Sequence, residues 1–436
     1  MTPAAESAES RYGVSLNYED FKKEAMSRYA ELPDETNELY KKYHMETSIP
    51  SAEEMERNEK TAASASDVQS LVASIEQRTG LKFDIVLSRS FAKSMSENVQ
   101  IKKTESIPGI LSDKIYKSSD NRLAAFINAN ARDAIVAEIK PGSHEKFNMI
   151  FINDSDISFE CLFKLGEGAR LEAFQVFASI GKGSTCASLQ EFSIAKGAHM
   201  GLTLFGDMGT ESTLVSLSKG ILEENGTMNA NFIYNGSKLT KSINFFDTRG
   251  TGSKISVSEA IYGTGEQRFD INTHLLNSKE RSSTKLETGA ILDDRSHCLL
   301  KGYAKIEKYA KGAFSNISQR GILLSEASHI DALPDMSIDY SDQVSATHSA
   351  ATSPIDKEAL FYLMSRGLSD SSSRKMFVSS FILKYLGSIK DPAVKEIVSS
   401  AIISRTEGNP PGEMRNITLK DIWFSSEEGR NEKMVS

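Results

Sequence analysis

The chain has little tryptophan, proline or cysteine, with one, ten and three in 436 residues. The three cysteines, Cys161, Cys186 and Cys298, lie far apart with no C-x-x-C pair. That excludes a disulfide framework and a self-contained zinc or iron–sulfur motif, and it leaves buried reduced thiols acting as small hydrophobes. No apolar run approaches the roughly 18 residues a membrane helix needs, and "MTPAAESAES" lacks a basic stretch leading into an apolar one. A cytoplasmic protein without a membrane partner is expected. No long Lys/Arg block is present and the net charge is -8, so a nucleic-acid grip, which needs concentrated positive charge, is not expected either. Neither a G-x-S-x-G elbow, an H-E-x-x-H helix nor a G-x-G-x-x-G fingerprint occurs. "ASIGKGST" lacks the spacing of a phosphate loop and reads as a turn in which Gly181 and Gly183 supply permissive backbone angles.

What is present is a soluble, ordinary composition, 39% hydrophobic and 25% charged, on a chain long enough for two or three domains and a sizeable core. The first 80 residues read as helical. Asn17 caps "YEDFKKEAMSRYA", Pro33 breaks the pattern before "DETNELYKKY", and "SDVQSLVASIEQ" is a further amphipathic stretch. At Leu81, Phe83, Ile85 and Leu87 the apolar period switches to two, predicting the first strand. From about Ala134 to Tyr340 short alternating runs are separated by similar corners: "GEGARLE", "GKGSTCA", "AKGAHMG", "ENGTMNA", "GTGSKIS" and "AKGAFSN". The first three recur at about 14 to 15 residues, which predicts stacked rungs rather than a Greek-key sandwich. One rung cannot bury its own inner face, so the flanking helices are expected to shield the strand edges at both ends.

The C-terminal part reads as helical again. Ser353 at the N-cap, Pro354 and Asp356 predict a helix start and Gly367 its stop. A second helix begins near Ser369 and ends around Gly387, and a third carries Val394, Ile397, Val398 and Ile402. The expected layout is a helical region at 1–80, a β core at 81–345, a helical region at 346–425 and a disordered tail at 426–436.

His144, His199, His274, His297, His329 and His348 are dispersed, with no pair at the helical spacing of a metal site. His297 and Cys298 are adjacent, but in a strand they would face opposite ways. His348 differs, because Ala346, Ser349 and Ala350 are small and leave the imidazole room to meet a partner.

"HCLLKGYAKIEKYAKGAFSN", "RGILLSEASHIDALPDMSI" and "IDYSDQVSATHSAATSPIDKEALFYLMSRGLS" together resemble the SufB/SufD family of iron–sulfur cluster assembly proteins, from roughly Asp120 to Leu386. The resemblance implies a mainly β fold, a right-handed parallel β-helix flanked by N-terminal and C-terminal α-helical regions. It implies a scaffold and not an enzyme, paired through the β-helix with a SufB-type subunit or a second copy of itself. The C-terminal helices would bind a SufC-type ABC ATPase, with Phe361, Tyr362, Arg366 and Gly367 as docking candidates. It also makes His348, in "THSAAT", a candidate ligand for iron or a transient, shared iron–sulfur cluster; it leaves a flavin undecided. SufB-like members carry a glutamate after that histidine and a cysteine in the strand before the LL motif; Ser349 and Arg320 stand there, which points toward SufD. None of the three cysteines matches a sulfur-relay position. Two other readings of a β-helix are a polysaccharide lyase or hydrolase, for which "DDRSH" supplies adjacent Asp293 and Asp294 with no other acid visibly converging on them, and a purely structural β-solenoid.

Overall fold

A computed structural model describes residues 18–33, 43–47, 49, 50, 54, 62–104, 115, 117–180, 183–339 and 343–406. The chain is 47% strand and 22% helix, and its centre is a parallel β-solenoid of about 7 turns. Successive strands alternate between two sheets. One has ten strands and ends at Ser345–Pro354; the other has nine and ends at His329–Ile338. The first edges are finished by antiparallel pairs, Ile85–Ser88 with Ala92–Ser94 and Val99–Lys103 with Asp133–Ile139. All later pairings are parallel, so each residue stacks on its equivalent one turn earlier, as Cys298 does on Phe269.

The repeated corners are the device that turns the chain. Each of the six quoted above places one residue in the left-handed region: Gly168, Gly183, Gly197, Asn225, Gly252 or Gly312, with φ between 54 and 73°. The recurrence of about 14 to 15 residues is therefore half a turn, one strand plus one corner. Gly183 sits at such a corner in "ASIGKGST", while Gly181 lies outside the described residues.

Because side chains alternate across a strand, one set fills the lumen. Phe151, Phe159, Phe163, Phe177, Phe192 and Phe269 are buried there together with Cys161, Cys186 and Cys298. All three thiols are free, and burial pushes their pKa values up, so they remain protonated hydrophobes as expected.

One inward residue is a carboxylate. Glu259 accepts from Thr273 Oγ1 at 2.5 Å and Thr288 Oγ1 at 2.6 Å. Burial raises its pKa despite these hydrogen bonds, so the fold favours the neutral form more than the unfolded chain does. Such a group stabilises the fold most below its unfolded pKa and loses that contribution as pH rises through the folded value. Glu259→Gln is thus expected to melt higher than the wild type at pH 8 and to lose that advantage near pH 4.5; equal melting shifts at both pH values would refute the assignment.

The outer face of the ten-stranded sheet is also apolar, and helices cover it. α1 (Tyr18–Glu31) ends before Pro33; α2 (Ala65–Thr79) has a capping box between Ser64 and Asp67 and places Val68, Val72 and Ile75 on Val86, Ile150 and Ile152. Leu81 and Phe83 join this packing ahead of the first strand, which begins only at Ile85. α3 (Arg122–Asn130), not foreseen from the sequence, lies on the nine-stranded sheet, burying Leu123, Phe126 and Ile127 against Leu189 and Leu217. Tyr29 of α1 packs on Phe126 with ring centroids 5.5 Å apart. The proposed Asn17 cap, most of "DETNELYKKY" and the tail from 426 lie outside the described residues.

At the C-terminal side, α4 (Lys357–Ser365), α5 (Asp370–Tyr385) and α6 (Pro392–Arg405) follow the last strand. Ser353 and Pro354 belong to that strand, and the cap of α4 is Asp356, whose carboxylate accepts from Glu358 N at 2.9 Å and Ala359 N at 3.0 Å. The local start signal is overridden by pairing with the previous turn, where Ser353 and Pro354 stack on Ile322 and Leu323. Pro is tolerated because this is an edge strand. α5 lays Val378, Ile382 and Tyr385 on the sheet, and the Tyr385 ring occupies space over Gly289 where a Cβ would come within 2.1 Å. Arg405 of α6 forms a buried ion pair with Asp207. The helices therefore cover a sheet face, where the apolar surface is, and the expected shielding of the final strand edges is not what α5 and α6 do.

A short segment straps the opposite sheet. Met45 N donates to Asp270 Oδ2 at 3.1 Å, and Lys241 Nζ donates to Met45 O at 3.1 Å. Lys301 Nζ reaches Asp270 Oδ1 at 2.7 Å and Tyr43 O at 3.2 Å. The side chains of Lys241, Asp270 and Lys301 are 4%, 1% and 1% exposed.

Candidate functional site

The two ends of the solenoid differ. The first ends in short strands paired antiparallel, Ala92–Ser94 and Val99–Lys103, whereas at the other end the parallel strands Ser345–Pro354 and His329–Ile338 are the terminal members of their sheets among the described residues. Nearly every residue of Ser345–Pro354 is exposed. Such an edge offers unpaired backbone donors and acceptors to another chain.

His348 lies in that terminal strand. It stacks in register on an interior column formed by Phe147, Ala173, Leu202, Ala230, Val257, Leu286 and Ile317. The seven below it are buried in the lumen core, and His348 is exposed where the column emerges. Among the described residues no side chain hydrogen-bonds to the imidazole, which leaves this exposed ring accessible to solvent. The adjacent hydroxyls are tied down the stack instead: Asn316 Nδ2 donates to Thr347 Oγ1 at 2.6 Å, and Ser349 Oγ to Ser318 Oγ at 3.4 Å. Arg320 is not beside His348. It faces the opposite side of its sheet, stacked on Gly289, where its charge acts on the Tyr385 hydroxyl.

A second exposed surface follows directly. In α4 only Leu360 is buried, while Phe361 and Tyr362 are 73% and 56% exposed and Met364 and Leu368 are also open. Arg366 orders this surface: its guanidinium lies 5.1 Å from the Tyr362 ring centroid and donates to Tyr362 Oη at 3.0 Å. Gly367, at φ 95°, turns the chain into α5, on which Met376 and Leu383 are also exposed.

Other sequence candidates separate. Cys298 points into the lumen and His297 outward, as alternation requires. His297 meets His329 and Asp331 instead, a grouping not visible in the linear spacing because the stack joins residues one whole turn apart. Asp293 and Asp294 are corner residues: Asp293 Oδ1 accepts from Asp294 N at 2.8 Å, and Asp294 Oδ2 accepts from Gly265 N at 2.8 Å. Both carboxylates are thus engaged by backbone amides of the corners. No helix among the described residues is long and apolar enough to cross a membrane.

Residues 151–381 match the family model of the SUF system FeS cluster assembly SufBD core domain, which covers more than half of the chain. The chain belongs to the SufBD family. The SufBD core so defined contains His348, Phe361, Tyr362, Arg366 and Gly367, and ends inside α5. An iron–sulfur cluster assembly SufBD family protein of Staphylococcus saprophyticus is 29% identical over 196 residues, 45% of this chain and 42% of that relative. SufBD family proteins of Staphylococcus aureus strain USA300 and Staphylococcus epidermidis are 29% and 27% identical over the same length and shares. The chain thus spans less than half the length of these curated relatives.

Proposed function

We propose that the chain is a SufD-like scaffold subunit in cytoplasmic iron–sulfur cluster assembly. It joins a SufB-type subunit, or a second copy, through the open end of its solenoid, and a SufC-type ABC ATPase through α4. The observation that carries this reading is the exposed terminal strand with His348 at the head of the interior column, next to an unburied aromatic helix face. Imidazole ligates iron, and a ligand placed at a joining surface can share iron or a forming cluster, which is cargo here, with groups from the other subunit. Ser349 and Arg320, where SufB-like members carry glutamate and cysteine, favour the SufD-like role. Nucleotide hydrolysis would belong to the ATPase, consistent with the lack of a phosphate-loop spacing in "ASIGKGST".

The test is anaerobic co-expression with a SufC-type ATPase and a SufB-type subunit. Recovery of one complex is expected, and failure of the ATPase to bind even with the SufB-type subunit present would end the proposal. Within that complex, His348→Ala is expected to leave assembly and melting unchanged and to lower iron incorporation; undiminished iron would remove His348 from the site.

A further inference from the structure

We propose that His297, His329 and Asp331 form a site for one divalent transition-metal ion of the zinc or ferrous class, on the outer face of the nine-stranded sheet. The placement follows from the register. His297 and His329 are direct in-register partners on the last two strands of that sheet, and Asp331, two residues beyond His329, projects from the same side. The inward neighbours Cys298 and Ile330 are buried in the lumen core, which fixes the three ligands as outward.

The three groups already converge. Asp331 uses one oxygen for each ring: Oδ2 lies 2.9 Å from His297 Nε2, and Oδ1 lies 3.1 Å from His329 Nε2. The ring centroids are 5.1 Å apart at 62°, and the three ligand atoms lie within 4.8 Å of one another. A tetrahedral zinc ion with nitrogen and oxygen ligands at about 2.0–2.2 Å sets its donors about 3.3–3.6 Å apart. Small rotations of these partly exposed side chains close the remainder. Binding would replace the contacts between the rings and the carboxylate with bonds to the ion. Two imidazoles with one carboxylate select zinc or ferrous ions over calcium and magnesium, which take oxygen ligands, and three protein ligands leave a position for water. Arg268, exposed, is the in-register neighbour of His297 on the preceding turn, and Asp331 supplies the opposing charge.

This site is distinct from His348, which lies in the other sheet and stacks on the lumen column. It depends on neither partner nor cluster. An ion there would join two successive turns side by side and pin the last strand of its sheet.

The experiment uses the full chain stripped with a chelator and titrated anaerobically with Co²⁺, followed by Zn²⁺ competition. One Co²⁺ per chain with visible ligand-field absorption is expected, displaced by Zn²⁺, and Zn²⁺ should raise the melting midpoint. His329→Ala and Asp331→Asn should each weaken Co²⁺ binding by at least about tenfold, while His348→Ala binds as the wild type does. Circular dichroism separates loss of fold from loss of ligand, and His329→Gln serves if the alanine variant unfolds. Absence of Co²⁺ absorption in the wild type, or binding that survives the triad variants or is lost with His348→Ala, would overturn the proposal.

Discussion

Asp270→Ala is expected to lower unfolding free energy by about 3–5 kcal/mol, the loss seen when one member of a buried charge group is removed. The variant would leave Lys241 and Lys301 buried and facing each other without their shared anion, and would take the acceptor from Met45 N. Burial alone would raise the Asp270 pKa, but the two lysines outweigh it and hold the carboxyl below the usual range. The sign is therefore that of a depressed acid. Its contribution is present above the unfolded carboxylate pKa and is lost as pH falls through the folded one, so wild type and variant should converge only in strong acid. A urea titration at pH 7 and again near pH 2 measures this. Replacing all three charges with apolar residues of similar volume should recover much of the lost stability, because the penalty lies in stranded charge. A midpoint for Asp270→Ala within experimental error of the wild type would show that the triad is solvated.

The second large effect concerns α4. Phe361→Asp combined with Tyr362→Asp is expected to weaken capture of a SufC-type ATPase by about 10² to 10³-fold, since two aromatic anchors at a docking centre contribute on the order of 2 kcal/mol each. Both side chains are solvent-exposed, so the variant should keep the wild-type melting midpoint. Equilibrium binding to the immobilised ATPase, with Glu358→Gln as a mild surface control, reads the effect. Unchanged affinity would place the ATPase elsewhere on the chain.

The stack was legible because its corners repeat a local requirement: a residue able to turn left-handed must recur between strands, and Gly168, Gly183 and Gly197 announce it. The helices from Ser369 onward were legible for a similar reason, since Ser369 and Asp391 cap them by short-range hydrogen bonds. The start of α4 was misplaced because the signal at Ser353 and Pro354 is real locally, yet pairing with Ile322 and Leu323 outweighs it. The destination of the helices was hidden for lack of any sequence marker of the outer apolar columns, such as Ala260 and Ile291, that they cover. The charged triad and the His297–His329–Asp331 group share one cause of invisibility. Each draws members from more than one turn, and linear spacing carries no meaning until the length of a turn is known. With that length in hand, H-x-D in a strand beneath a histidine one turn back is a readable signal.

The two tips of the stack end differently, in antiparallel pairs at one and in parallel strands at the other. In the proposed assembly, a joint made through Ser345–Pro354 of both mates would spend that edge once on each, which favours a closed pair over a growing file.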